Sequence, residues 1–244
     1  MDKTDMKYLN TGIAKLGLKL SSTQLEQFYT YYQELLEWNQ KINLTSITEF
    51  RDVQLKHFLD SLTVTLALKL PTTGEGWRLI DVGTGAGFPG LPLKIAFPAI
   101  KLVLLEATSK KAAFLRHLRQ KLGLGDVEIV VGRAEDVAHK AKYREQFNVV
   151  LSRAVATLPV LVELTLPFCA VGGSTIVQKK GDIELEVRQA AKAVAILGGR
   201  QPRVKRIELE ELADDRFLII IDKVAPTPAK YPRRPGIPAK RPIL

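Results

Sequence analysis

Apolar positions along this chain change their rhythm once, near residue 77. Upstream they recur at helical spacing: from Leu25, the residues Phe28, Tyr29, Tyr32, Leu35 and Leu36 form one face of an amphipathic helix. Ser21 with Gln24 and Thr23 with Glu26 both have capping-box spacing at its start. The cluster Tyr29, Tyr31, Tyr32 reads as core packing rather than as a platform for bases. WNQKINLT (Trp38 to Thr45) ends the helix, with Asn39 and Asn43 as turn or cap residues. HFLDSL (His57 to Leu62) reads as a further short helix, so residues 1–70 form a helical region. PTTGEG (Pro71 to Gly76) is a polar linker, and the domain boundary is placed there.

From Trp77 short apolar runs alternate with helical segments. Strands are predicted at Arg78–Val82, Lys101–Glu106, Val127–Val131, Phe147–Ser152 and Ser174–Lys179. The clearest intervening helix spans about Ser109 to Leu122. Its apolar face is Phe114, Leu115, Leu118 and Leu122, Thr108 or Ser109 caps it, and Gly123 ends it. Strand–helix alternation implies βαβ units and a mostly parallel sheet, with every strand's C-terminal end on one edge. Two later strands, near Val204–Leu209 and Phe217–Asp222, are joined by the short acidic run EELADD and read as an antiparallel pair at the sheet edge. The α/β unit is therefore bounded at 77–224. Residues 225–244 hold six prolines with Lys230, Arg233, Arg234, Lys240 and Arg241 and no acid, an extended arm that either tracks phosphates or stays solvated.

Charge sharpens this picture. The net charge of +10 suggests a polyanion partner, most often nucleic acid. Lys110, Lys111, Arg116, Arg119 and Lys121 concentrate on one helix. The single cysteine, Cys169, excludes an intrachain disulfide and suits the cytoplasm. His57, His117 and His139 show no ligand spacing, so no metal is expected and each reads as a surface or capping residue. No run reaches the ~20 apolar residues of a membrane helix.

Candidate chemistry gathers at the strand ends. After the first strand comes Asp81-Val82-Gly83-Thr84-Gly85-Ala86-Gly87-Phe88-Pro89-Gly90, a glycine loop opening a helix. Glu106 follows the second strand, where a carboxylate meets ribose hydroxyls in nucleotide-binding α/β proteins. Gly132-Arg133-Ala134-Glu135-Asp136 follows the third and offers an acid to an adenine amine. Ser152-Arg153 follows the fourth. The glycine spacing is G-x-G-x-G rather than the dinucleotide G-x-G-x-x-G, and no P-loop pattern occurs. Asp81 would oppose a pyrophosphate and suits a cationic amino-acid moiety, which favours S-adenosylmethionine over a nicotinamide dinucleotide.

DVGTGAGFPGLPL (Asp81 to Leu93), WNQKINLT, HFLDSL, KKAAFL (Lys110 to Leu115), GRAED (Gly132 to Asp136), SRA (Ser152 to Ala154) and KYPRRPGIP (Lys230 to Pro238) occur in an order that resembles the small-subunit ribosomal RNA guanine-N7 methyltransferases, also called glucose-inhibited division protein B. Asn148 departs from the aspartate expected there. The resemblance implies a Rossmann-like class I methyltransferase sheet preceded by a small helical subdomain. It implies S-adenosylmethionine contacts at Gly83, Phe88, Glu106, Ala107, Thr108, Ala134, Glu135 and Arg153, and methyl transfer to N7 of a guanine in small-subunit ribosomal RNA, with no catalytic base. A cytoplasmic monomer acting on that RNA, free or within the subunit, is expected. Lys179, Lys180, Arg233 and Arg234 are assigned to phosphates and HFLDSL to the base pocket. The competing readings are a methyltransferase for another substrate, a non-enzymatic ribosome-assembly RNA binder, and a nicotinamide reductase.

Overall fold

The computed structural model describes residues 6–68, 76–153, 156–212 and 214–244. The expected linker at Pro71–Gly76 lies, apart from Gly76, outside the described residues, as does Ala154 of the SRA triplet. Seven strands, β1 (Arg78–Val82), β2 (Lys101–Glu106), β3 (Val127–Val131), β4 (Phe147–Arg153), β5 (Cys169–Lys180), β6 (Arg203–Arg206) and β7 (Arg216–Asp222), form one sheet in the order β3-β2-β1-β4-β5-β7-β6. β1 to β5 are parallel, β7 runs antiparallel to β5, and β6 antiparallel to β7. The expected edge pair is thus present, with β7 rather than β6 against the parallel part.

The central strands are apolar on both sides because both faces are covered, as parallel sheets require. Side chains alternate by two along a strand. Leu79, Leu102, Leu104 and Ile176 enter one core, whereas Ile80, Val103, Leu105 and Val177 enter the other. β4 slips register between Phe147 and Val149, which sends these two residues to opposite cores. Asn148 sits at that slip, and its amide oxygen accepts the Arg78 N–H at 2.9 Å. An amide oxygen supplies the acceptor that the expected aspartate would bring.

The first core is covered by α1 (Lys7–Lys15), α2 (Ser22–Ile42), α5 (Gly90–Ala96) and α6 (Ser109–Lys121), together with the composite helix between α2 and β1. The composite helix begins as α3 (Phe50–Asp52), widens into a π-helical stretch at Val53–Leu59, returns to α4 (Asp60–Leu62) and ends in a 3-10 turn at Thr63–Leu66. HFLDSL is therefore the middle of a longer helix rather than a separate short one. Of the two candidate capping boxes, Ser21 with Gln24 forms: the Ser21 N–H donates to Gln24 Oε1 at 2.8 Å and the Gln24 N–H to Ser21 Oγ at 3.3 Å. Asn43 ends α2 in the left-handed region, and Asn39 Oδ1 accepts the N–H groups of Leu44 and Thr45. Phe28, Tyr31 and Leu35 are fully buried on α2. A single apolar cluster joins these helices to the sheet.

The second core lies under α7 (Ala134–Val137), α8 (Leu158–Thr165) and α9 (Glu184–Ile196), and Tyr231 packs into it. Residues 225–244 are not a solvated arm. They fold back along this face and end in α10 (Ile237–Lys240), where Pro238 occupies a first-turn position that helices accept. The extended conformation expected from the prolines holds only in part, since tertiary contacts bend the segment.

Candidate functional site at the strand ends

β1, β2 and β3 step outward to one side of the sheet, and the chain then returns to place β4 on the other side of β1. That reversal opens a crevice beyond the C-terminal ends of β1 and β4, the place where open α/β sheets take their ligands. The glycine loop leaves β1 there. Gly83, Gly85 and Gly87 have φ of 71°, 62° and 101°, values that side-chain-bearing residues rarely adopt. A Cβ on Gly87 would fall 2.6 Å from the Tyr31 hydroxyl oxygen, so glycine is also required for space.

Asp81 lies beneath the loop and is fully buried. Its Oδ2 accepts the Thr84 hydroxyl at 2.6 Å and the Gly90 N–H at 2.9 Å, tying both ends of the loop together. Burial pushes its carboxyl up to about 6, and Oδ1 has no protein partner. The residue is a loop fastener before it is anything else. Glu106 joins the next turn: Oε2 accepts the Gly85 N–H at 2.9 Å and Oε1 the Thr108 N–H at 2.8 Å. A carboxylate has about four acceptor sites, so Glu106 retains capacity for hydroxyls beside the exposed Ala107 and Thr108.

Phe88 is 5% exposed because both of its faces are covered. Tyr31 stacks on one, with centroids 5.2 Å apart and 5° from parallel, and His57 stacks on it at 4.5 Å and 16°. Tyr31 donates its hydroxyl to the Ala86 carbonyl at 2.6 Å, gripping the loop from below. The Arg153 guanidinium lies 5.0 Å from the Phe88 ring centre. It donates to Asp60 Oδ2 at 2.9 Å and approaches His57 Nδ1 at 3.3 Å. With Nδ1 facing a guanidinium, the hydrogen-bond network assigns the ring proton to Nε2, which meets Thr45 Oγ1 at 2.8 Å. Burial, followed by the charge of Arg153, pulls His57 down to about 3. The imidazole is neutral and both its nitrogens are committed.

Asp60 is 3% exposed and serves two cations, Arg153 through Oδ2 and Arg216 through Oδ1, each at 2.9 Å. Beside this pair opens a cleft of about 750 Å³ whose walls include Lys56, His57, Arg153, Lys179, Lys180 and Arg216. Lys179 pairs with Glu186 at 2.7 Å and donates to the Ala156 carbonyl, while Lys180 is exposed. His57 and Asp60 of HFLDSL line this cleft.

Residues 24–214 match the family model described as rRNA small subunit methyltransferase G. The chain belongs to this family. The ribosomal RNA small subunit methyltransferase G of Dehalococcoides mccartyi is 56% identical over 239 residues, covering 98% of this chain and 100% of that protein. The relative of the same name from Roseiflexus castenholzii is 50% identical over 228 residues, 93% and 95% of the two chains. Among solved structures, an O-methyltransferase from Bacillus cereus in complex with SAH superposes with a TM-score of 0.55 at 19% identity, covering 80% of this chain and 91% of that one. A SAM-dependent O-methyltransferase from Thermotoga maritima gives 0.54 at 18% identity, with 81% and 72% covered. At these identities the two structures establish the sheet architecture, which is that of class I methyltransferases.

The residues that this member of the methyltransferase G family presents fit S-adenosylmethionine. The loop is open where a Cβ on Gly85 would meet nothing within 4 Å, and a buried carboxylate oxygen of Asp81 stands unpartnered beneath it. Glu135 is tied to the C-terminal stretch. Its carboxylate is 4% exposed and turns to the C-terminal stretch, accepting the Gly236 N–H at 3.0 Å and Arg133 at 3.2 Å. Both contacts use Oε1. Arg233 donates its backbone N–H, Nε and Nη2 to the fully buried Glu163, and Nη2 also to the Arg241 carbonyl at 2.7 Å. Arg234 is exposed.

The sequence places His57 and Asp60 in HFLDSL and Tyr31 in the core, and predicts none of their contacts around the glycine loop. Their signal was available: Phe28, Tyr31 and Leu35 share helical spacing, and His57 and Asp60 stand three apart on one helix. No group of His, Cys, Asp or Glu among the described residues is arranged to hold a metal. Among them, no helix is long and apolar enough to cross a membrane.

Proposed function

We propose that this protein methylates N7 of a guanine in small-subunit ribosomal RNA, with S-adenosylmethionine held over the glycine loop and the guanine entering the Asp60–Arg153–Lys180 cleft. The observation that carries the reading is the adjacency of that cationic cleft to the loop at the sheet's switch point, in a chain of this family. S-Adenosylmethionine supplies a methyl group on a sulfonium centre. Gly83 and Phe88 offer backbone, Glu106 a carboxylate for ribose hydroxyls, Ala107 and Thr108 the turn beside it, and Ala134 and Glu135 backbone at the adenine end. Arg153 stands between the two ligands.

No protein base is needed, because guanine N7 already carries an unshared pair. The site agrees with this economy: His57 is neutral with both nitrogens engaged, and Ser152 donates its hydroxyl to the Val82 carbonyl at 3.0 Å. Rate enhancement then comes from holding N7 in line with the methyl group, the proximity effect. N7 lies on the Hoogsteen edge, so the guanine is splayed out or exposed in a loop. Lys180 and Arg234, both exposed, are proposed to meet RNA phosphates, with Lys179 contributing at the cleft wall. Mapping N7-methylguanosine in small-subunit RNA from cells with and without the protein tests the reading. The modification should vanish with the protein, and an unchanged map would refute it.

A further inference from the structure

Residues 227–236 are fastened to the second face of the sheet along their length, beginning at Thr227, whose N–H donates to Glu145 Oε1 at 2.6 Å and whose hydroxyl donates to the Leu197 carbonyl at 2.9 Å. Arg144 donates to the carbonyls of Thr227, Pro228 and Tyr231 at 2.9, 3.2 and 2.9 Å. His139 Nε2 meets the Pro232 carbonyl at 2.8 Å. Arg233 closes on Glu163, a carboxylate with no exposure at all. Lastly, the Gly236 N–H reaches Glu135 at 3.0 Å. Gly236 has φ of 82°, so the backbone is bent there in a way that glycine tolerates. The result of this bend is that one N–H points at one carboxylate, inside the turn that follows β3.

That turn, Gly132 to Asp136, begins at the carbonyl of Glu106, which accepts the Gly132 N–H at 3.1 Å. The segment is thus held from two sides: by the Glu106 backbone at the crevice, and by Gly236 through Glu135 from behind. A buried carboxylate needs its partners, and Glu135 finds them in Gly236 and Arg133, its carboxyl being held below the usual range by those hydrogen bonds against the opposing effect of burial.

We propose that residues 233–244 act as a strut for the cofactor site: by engaging Glu135 and Glu163 they fix the Ala134–Glu135 turn in the shape that binds the adenosyl group, so that Glu135 is a positioning residue. This rests on the assignment of that turn to the cofactor, and it makes the basic proline-rich stretch a determinant of cofactor affinity rather than solely an RNA contact.

The test is calorimetric binding of S-adenosylhomocysteine to the full chain, to a chain ending at Pro232, and to Glu135→Ala and Glu135→Gln variants, each with its thermal midpoint. The truncation and Glu135→Ala should each raise Kd about tenfold. Glu135→Gln, whose amide oxygen still accepts the Gly236 N–H, should stay within about twofold. Combining the truncation with Glu135→Ala should be no worse than the truncation alone, because the truncation already removes the Gly236–Glu135 bond along with the Arg233–Glu163 pair. Additive losses, or an unchanged Kd in the truncated chain, overturn the strut. Should the truncated chain not fold, a Glu135→Gln variant that binds as poorly as Glu135→Ala overturns it instead. A Gly85→Val variant separates the two levels. If it binds normally, the cofactor assignment falls and the strut with it; if it loses binding while the truncation does not, only the strut is refuted.

Discussion

The imidazole of His57 lies face to face with the ring of Phe88, centroids 4.5 Å apart, and this pair ties the composite helix to the loop that leaves β1. Tyr31 closes the other side of Phe88, so three rings from three segments stand in one column beneath the crevice. Aromatic pairs of this kind add about 0.5–1.5 kcal/mol beyond the area they bury. Phe88→Ala is expected to cost about 3–5 kcal/mol in denaturant unfolding. Tyr31→Phe, which removes only the donor to Ala86, should cost about 1 kcal/mol while weakening cofactor binding. Full cofactor affinity in Tyr31→Phe would show that the loop does not depend on that grip.

Two buried groups give stability opposite dependences on pH. His57 is pulled from 6.5 down to about 3, so its folded form resists protonation. Its contribution is complete above pH 6.5 and is lost as pH falls toward 3. Asp81 is raised from 3.8 to about 6, so its contribution is complete below 3.8 and lost as pH rises through 6. The amide oxygen of an Asp81→Asn side chain still accepts from Thr84 and Gly90. Relative to wild type, this variant should gain about 1–3 kcal/mol between pH 4 and pH 7. His57→Asn should gain relative to wild type in the other direction, as pH falls below 6.5. A pH-independent offset in urea titrations would contradict either assignment.

Asp60 balances two guanidinium groups. Asp60→Ala strands both, and loss of one partner of a buried ion pair costs about 3–5 kcal/mol. Asp60→Asn preserves shape but leaves excess positive charge beside the cofactor. It should fold with a lowered midpoint and show reduced methylation of small-subunit RNA. Wild-type turnover in Asp60→Asn would remove the Arg153 arrangement from the mechanism.

Neighbouring arginines should part company. Arg233→Glu places a second acid against the fully buried Glu163 and is expected to destabilise by about 3–5 kcal/mol. Arg234→Glu should leave the thermal midpoint within about 0.5 kcal/mol of wild type and reduce the salt dependence of RNA binding by about one counterion. Filter binding across a salt series, with calorimetric scans alongside, distinguishes them. Equal midpoints for the two variants would show that the Glu163 pair is dispensable.

The central strands could be read from the sequence because parallel strands covered on both faces leave a continuous apolar run, as in Leu79–Ile80 and Leu102 to Leu105. The Ser21 cap and the Asn39–Asn43 turn were equally legible, being local chemistry. What stayed hidden depended on distance along the chain. Arg233 meets Glu163 across 70 positions and Gly236 meets Glu135 across 101, and no local pattern reports such partners. A hint did exist in the lone acid of the apolar run LPVLVELT (Leu158 to Thr165), which had to be neutralised from elsewhere. His57 was obscured differently, because a π-helical stretch shifts the facing of side chains away from the regular spacing that periodicity assumes.

The fastening of residues 227–236 also carries a consequence for synthesis. They are translated after every element they clamp. A nascent chain that has reached α9 already displays Arg144, Glu135 and Glu163, none of which has yet met its partner in residues 227–236. Until Arg233 emerges, α8 carries an unneutralised carboxylate on an otherwise apolar face, a poorly satisfied surface of the kind that chaperones engage. On this face the protein matures only when translation has passed Gly236, and a ribosome stalled earlier holds an unfinished enzyme.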